Sequence, residues 1–232
     1  RRKIFNYIFQ EIDKIMKENS IKKYIFFRHT FKSILKNNNL ILQNFAEIVH
    51  FANEIKLERN LIINLSYSLE LLENNLSKYH RRNIKKSQNV NNEFVVINHK
   101  SSNKDIEHYF NKFKDCHLKY RKSSRPAQTW SRMKKFIYQG NCDLFFVINE
   151  NKILSYLYCG KYKEYTWGWS QVNVKEYEDD FLPRHFLEWN VILYYKKLDF
   201  NFYDLGNRFY EIFDKDRPKK EITISDFKEK FG

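Results

Sequence analysis

A chain of 232 residues with 18% aromatic side chains and only five glycines and three prolines has ample material for a packed core. Low aromatic content and long flexible linkers, the marks of disorder, are both excluded. A formal charge of +14 invites a nucleic-acid partner, but charge must be clustered to be a footprint, and a Lys/Asn/Ile-rich composition spreads it over every surface. No apolar run approaches the ~20 residues that cross a bilayer. Three cysteines far apart, Cys116, Cys142 and Cys159, show no metal-type pairing, and their odd number points to a reducing, cytoplasmic setting.

In chain order, Ile4, Phe5, Ile8, Phe9, Ile12, Ile15 and Met16 mark an amphipathic helix through Glu18. The pattern is under way at once behind Arg1, so the chain is expected to be a fragment or to lack its beginning. Tyr24–Arg28, Phe45–Phe51 and Leu61–Leu65 read as strands. Ser66 or Ser68 is expected to cap one long helix with Leu69, Leu72, Leu76 and Tyr79 inward. Its basic end holds Lys78, His80, Arg81, Arg82, Lys85 and Lys86, which either complement a helix C-terminus or bind phosphate. Glu93–Asn98 is a strand, Asp105–Tyr120 a helix, and Thr129 or Ser131 caps a helix ending at Tyr138. A strand at Asp143–Asn149, a turn at Asn149-Glu150-Asn151 and a partner strand at Lys152–Tyr158 make a hairpin, followed by a strand at Tyr162–Ser170.

The last fifty residues are the most informative. Pro183 suits a first helical position. Asp179 and Asp180 suit the positive end of the dipole, Lys196 and Lys197 the other end, and Phe186, Leu187, Val191, Tyr194 and Leu198 form an inner face. A strand from Phe200 to Leu205 stops at Gly206, and a loop from Asn207 to Lys220 carries Arg208, Lys215, Arg217, Lys219 and Lys220, which suits phosphate and mobility. Asp226 and Glu229 have capping-box spacing, which places Phe227 and Phe231 on one side of a short closing helix and Lys228 on its flank.

The order Leu187-Glu188-Trp189, Tyr203-Asp204-Leu205-Gly206 and Phe227-Lys228-x-x-Phe231-Gly232 resembles the C-terminal half of the FemAB-like aminoacyl/acyl transferases. These are peptidoglycan-bridge enzymes of two GNAT-like domains. Leu76–Lys86 is similar to the basic helix that enters their second domain, and Arg125-Pro126-Ala127-Gln128-Thr129-Trp130 falls at a comparable place. The resemblance covers the last two thirds of the chain. It implies an α/β (α+β) protein with a GNAT-like mixed sheet flanked by helices. The divisions expected are a partial first domain over 1–66, a connecting basic helix over 67–88 and a complete second domain over 89–232.

The resemblance also implies a site. Lys228 takes the place of the family's catalytic-site lysine and would hold an acceptor carboxylate or the tetrahedral oxyanion. Asp204 would orient or accept the proton, or else close its strand by hydrogen bonds to the backbone. Arg81 or Arg82 would meet an acceptor diphosphate. Tyr165, Trp167, Trp130 and Phe227 would line the acceptor groove, with core packing as the alternative for the aromatics. The donor would be aminoacyl-tRNA or acyl-CoA. In most GNAT enzymes a glycine-rich turn holds the coenzyme A diphosphate, whereas Tyr177–Pro183 here is acidic and has no glycine. A metal is not expected, since His108, Cys116 and His117 lack zinc spacing. Partners implied are tRNA, a nucleotide-sugar or lipid-linked acceptor, and a peripheral membrane surface. A CoA-dependent N-acyltransferase of a small amine and a non-catalytic RNA- or anionic-surface-binding protein are the competing readings.

Overall fold

The computed structural model describes residues 59–121, 125–177 and 181–232, with Gln10, Glu11, Lys14, Ile15, Lys17 and Glu18. The chain divides into two units, Arg1–Leu57 and Glu58–Gly232. In the first, the six described residues are helical and fall within the helix expected through Glu18. The strands expected at Tyr24–Arg28 and Phe45–Phe51 lie outside the described residues, as do Asp179 and Asp180.

The second unit runs β1 (Asn60–Asn64), α1 (Leu69–Asn75), α2 (Lys78–Gln88), β2 (Glu93–Ile97), α3 (Asn103–Tyr120), α4 (Ala127–Tyr138), β3 (Cys142–Asn149), β4 (Lys152–Tyr162), β5 (Tyr165–Asn173), α5 (Pro183–Lys197), β6 (Phe202–Asn207) and α6 (Lys219–Glu229). One six-stranded mixed sheet has the order β1-β6-β5-β4-β3-β2. All neighbours are antiparallel except β5 and β6. Helix α5 is the crossover that lets β6 return parallel to β5. The hairpin between β3 and β4 turns through Glu150 and Asn151, both at positive φ (46° and 64°), as a two-residue turn of matching twist requires. Strand β1, counted with the first domain in the sequence reading, pairs with β6 and is an edge of this sheet.

The sheet is covered on both faces, and the alternation of β3 shows how. Phe145 and Val147 point to a core shared with Leu72, Leu76, Ile84, Leu187, Val191, Tyr195 and Phe231. Leu144 and Phe146 point to a second core with Ile106, Phe110, Phe113, Trp130, Met133 and Ile137. A strand buried on both sides reads as a continuous apolar run, as Leu144–Ile148 does. Each such side chain, fully buried, stabilises the fold by roughly 2–3 kcal/mol before entropy is counted.

Several expected boundaries move for local reasons. The single helix expected from Ser66 or Ser68 to Lys86 is two, because Leu76 turns to extended geometry (ψ 137°) and Ser77 caps a fresh start at the His80 N–H. Lys78, Arg81 and Arg82 therefore stand in the first half of α2, and only Lys85 and Lys86 complement its C-terminus. The break also rotates the face: Tyr79 and Leu69 are exposed, and His80 takes the inner position. The cap of α4 is Pro126 rather than Thr129 or Ser131. Leu198 lies beyond α5 and is exposed, because α5 buries nearly its whole circumference over its first three turns. The closing helix begins at Lys219 behind Pro218, so Asp226 is a last-turn residue and not a cap. Asp226 and Glu229 instead form ion pairs with Arg208 at 2.7 and 2.8 Å, tying down the loop expected to be mobile. Among the described residues no helix is long and apolar enough to cross a membrane.

Candidate active site

The parallel pairing of β5 and β6 covers Tyr165↔Phe202, Thr166↔Tyr203 and Trp167↔Asp204, then stops. Beyond that point the two strands run on without a shared ladder, which opens the carboxyl ends of a parallel pair, a recurrent place for ligands in α/β sheets. Along β6, Tyr203 and Leu205 turn towards the first core and Asp204 towards the other face. The strand end is thus reached from both sides.

Asp204 is buried and its carboxylate accepts three hydrogen bonds. Asn60 Nδ2 and the Tyr165 hydroxyl donate to Oδ2, each at 2.7 Å, and the Gly206 amide donates to Oδ1 at 2.6 Å. The third bond is the strand-closing interaction with the backbone. Burial, reinforced by the Asp204 carboxylate, pushes the Tyr165 phenol well above its usual range, so it stays a donor.

Lys228 comes in from α6. Its Nζ lies 3.0 Å from where a Cβ on Gly206 would sit, and Gly206 has φ +94°. Glycine suits the left-handed backbone there, and any side chain would crowd the ammonium. Burial lowers the Lys228 pKa; Glu188 opposes this, Arg184 adds to it and Asp204 opposes it. Glu188 is itself buried on α5 and accepts from the Tyr203 hydroxyl at 2.5 Å. Burial raises its pKa, against the Tyr203 hydrogen bond and the charges of Lys228 and Arg184. The Arg184 guanidinium stacks 3.5 Å from the centre of the Phe227 ring, and the far edge of that ring meets His80 and His185. Leu182, two residues ahead of Arg184, is held at φ 47°, a strained conformation for leucine that costs about 1–2 kcal/mol.

Lys228 meets Gly206 and Tyr165 meets Asp204 along β6, whereas Phe227 packs with His80, His185 and Phe231 against the first core. The other expected residues are used elsewhere. Arg81 donates to the Asn74 and Leu76 carbonyls at 3.2 and 3.1 Å, closing the C-terminus of α1. Arg82 lies over the exposed Tyr79 ring at 5.7 Å. Trp167 lies flat on Gly160, where a Cβ would come within 2.4 Å of the indole, and continues a row with Tyr165 and Trp169. Trp130 is buried among Phe110, Phe113 and His117 in the second core, under the Arg125 guanidinium; it serves packing rather than the strand end.

Sequence reasoning missed Glu188 and Arg184. The signal was present: a carboxyl inside the largely apolar run Phe186–Ile192, with a cation four residues before it, must meet that cation or another polar partner.

No protein-family model matches the chain, and no curated protein matches it in sequence. Solved structures do. FemX superposes with a TM-score of 0.64 over 100% of this chain and 74% of its own, at 12% identity. The C-terminal domain of a putative lysylphosphatidylglycerol synthetase from Agrobacterium fabrum matches with a TM-score of 0.57 and 13% identity over 76% of this chain. L-PGS from Bacillus licheniformis matches with a TM-score of 0.55 and 13% identity over 82%. The chain spans 57% and 61% of the length of those last two. In architecture the protein is a GNAT-like mixed α/β structure of the kind found in FemX and the lysylphosphatidylglycerol synthetases.

Proposed function

We propose that the protein transfers an aminoacyl or acyl group to an amine by direct attack, with Lys228 as the catalytic cation. The observation that carries this reading is the Lys228 ammonium, drawn into a partly buried position against the Gly206 strand end, where the parallel pair opens. A buried cation in a low-dielectric setting stabilises a developing oxyanion far more than one in water. The fold shared with FemX, a peptidoglycan-bridge aminoacyltransferase, supports the same reaction class.

In the proposed reaction the neutral amine attacks the activated carbonyl, and the C–N bond forms as the carbonyl π electrons move to oxygen. Lys228 holds that oxyanion. Collapse expels the donor's oxygen or sulfur leaving group, which takes up the proton lost from the amine. Asp204, whose oxygens already serve three donors, fixes Tyr165 and the backbone of Gly206, and so acts by positioning. Glu188, bonded to the Tyr203 hydroxyl, is the nearby acid that opposes the lowering of the Lys228 pKa by burial. No activated nucleophile takes part: burial pushes the Cys116 and Cys142 thiols up to about 11 and that of Cys159 well above its usual value.

The donor is aminoacyl-tRNA in preference to acyl-CoA. Helix α5 starts at Pro183, which has no N–H, without a side-chain cap, and the turn before it has no glycine to form a diphosphate cradle. The acceptor amine belongs to a cell-wall precursor or another sugar-, peptide- or lipid-linked carrier. Mass spectrometry of such acceptors, incubated with charged tRNA or with acyl-CoA, tests the assignment. Transfer from charged tRNA that falls about 100-fold or more in Lys228→Ala is the expected result. Transfer that survives the substitution intact would overturn it.

A further inference from the structure

Ile212 and Phe213 are 76% and 71% exposed, more than any other large hydrophobic residue among those described. They are neighbours at the crest of a turn between β6 and α6. That turn is built to hold them out. The Phe213 and Asp214 amides donate to the Tyr210 carbonyl at 3.0 and 2.8 Å, and the Arg217 amide donates to the Asp214 carbonyl at 2.9 Å. Asp214 Oδ2 accepts from the Tyr210 amide at 2.7 Å and from Arg59 at 2.6 Å. At the base of the loop Arg208 is locked to Ser225, Asp226 and Glu229. Two apolar side chains held outward forgo burial that would be worth roughly 2 kcal/mol each. Lys215 in the loop and Lys219 and Lys220 at the start of α6 are exposed and without an acidic partner among the described ion pairs. Arg217 is partly engaged by Glu221 at 3.4 Å, and these cations outnumber the exposed Glu211 and Asp216.

We propose that this loop docks the protein on an anionic lipid surface, with Ile212 and Phe213 entering the interface and the lysines beside them meeting the headgroups. An apolar tip beside unpaired cations is the arrangement that such surfaces take, because acyl chains accept the tip and each nearby lysine adds about 1 kcal/mol. The tip is convex, so it asks for a medium that deforms around it. The inference does not rest on the transferase reading, since it is tested by binding without turnover. It does bear on that reading: the loop joins the strand of Asp204 and Gly206 to the helix of Lys228, so docking would bring the candidate site to the lipid surface.

The test is flotation of the full chain with vesicles of phosphatidylcholine alone and of phosphatidylcholine mixed with phosphatidylglycerol. Partitioning at least ~10-fold stronger on the mixed vesicles, weakened by salt, is expected. Ile212→Ser with Phe213→Ser should lower it about 10-fold or more, with the melting temperature unchanged. Tyr162→Ser, which removes an equally exposed ring at the opposite end of β6, should leave it unchanged. The proposal is overturned if the native chain ignores the mixed vesicles or the double variant binds them equally well. It is also overturned if the tip instead joins two copies, shown by self-association that the double variant abolishes and by no vesicle binding.

Discussion

Two regions of the molecule use nearly the same parts. On the α5 side of the sheet, Arg184 stacks on Phe227 beside two histidines, in a region that also holds the buried Glu188 and Lys228. On the other face, Arg125 lies 5.2 Å from the Trp130 ring centre and bonds to His117 Nε2 at 2.6 Å and to Ser170 at 3.0 Å. The second cluster lies against β5 at Ser170, beside an irregularity in the β4–β5 pairing, and its guanidinium bonds to both His117 and Ser170. The first packs against the α5 side of the sheet, with Lys228 reaching Gly206 past the last β5–β6 pair, Trp167↔Asp204. A cation on an aromatic ring is therefore not a site in itself. The role proposed for the first region rests instead on Lys228, whose Nζ reaches Gly206 beyond the last paired residues of β5 and β6.

This contrast can be broken at several points. The largest expected effect is Lys228→Ala, which should depress transfer about 10²–10³-fold while the melting temperature shifts little, since the oxyanion loses its cation but the core keeps Phe227 and Phe231. Gly206→Ala comes next. Its methyl would need a left-handed backbone and would meet the Lys228 ammonium at 3.0 Å, so turnover should fall about 10-fold and stability by roughly 1–2 kcal/mol, read by steady-state rates and urea unfolding. On the opposite face, Arg125→Gln should cost about 1–3 kcal/mol and leave turnover per folded molecule unchanged. A turnover defect there would erase the distinction drawn between the two clusters.

Acid sharpens the comparison because both regions hold histidines kept neutral. Burial, the largest cause in each case, lowers His80 and His117 to about 4 and His185 to about 3. These values lie below the unfolded value of about 6.5, so the unfolded chain binds more protons between the two. Stability should then be complete above about pH 6.5 and fall progressively as pH drops towards 4, by roughly a few kcal/mol in all. His117→Phe should remove part of that slope while leaving the share owed to His80 and His185. An acid limb unchanged in His117→Phe, His80→Phe and His185→Phe alike would show that carboxylates, not these rings, set it.

Legibility differed between elements. The Leu144–Ile148 run, the Glu150-Asn151 turn and the Pro183 helix start each depend on residues within a few positions of one another, and all could be read directly. The strand expected to stop at Gly206, by contrast, runs on to Asn207, because Gly206 and Asn207 pair with Leu61 and Asn60 of β1. The split at Leu76–Ser77 was hidden because Leu72, Leu76 and Tyr79 keep helical spacing across it. Arg81 looked like a phosphate ligand until that split exposed carbonyls for it to close. Glu188 was hidden for another reason: a carboxyl inside an apolar helix has no meaning until Tyr203 and Lys228, distant in sequence, arrive beside it.

Local physics, acting through period, capping and turn chemistry, was enough to establish the alternation of helices and strands and a lysine-bearing helix at the close. Tertiary structure alone decided that Asn60–Asn64 joins this sheet, that the β5–β6 ladder ends after Trp167 and Asp204, and that Lys228 comes to rest on Gly206. Those outcomes depend on pairings between residues tens to more than a hundred positions apart, and no window of neighbouring side chains encodes which backbone edge will be left open.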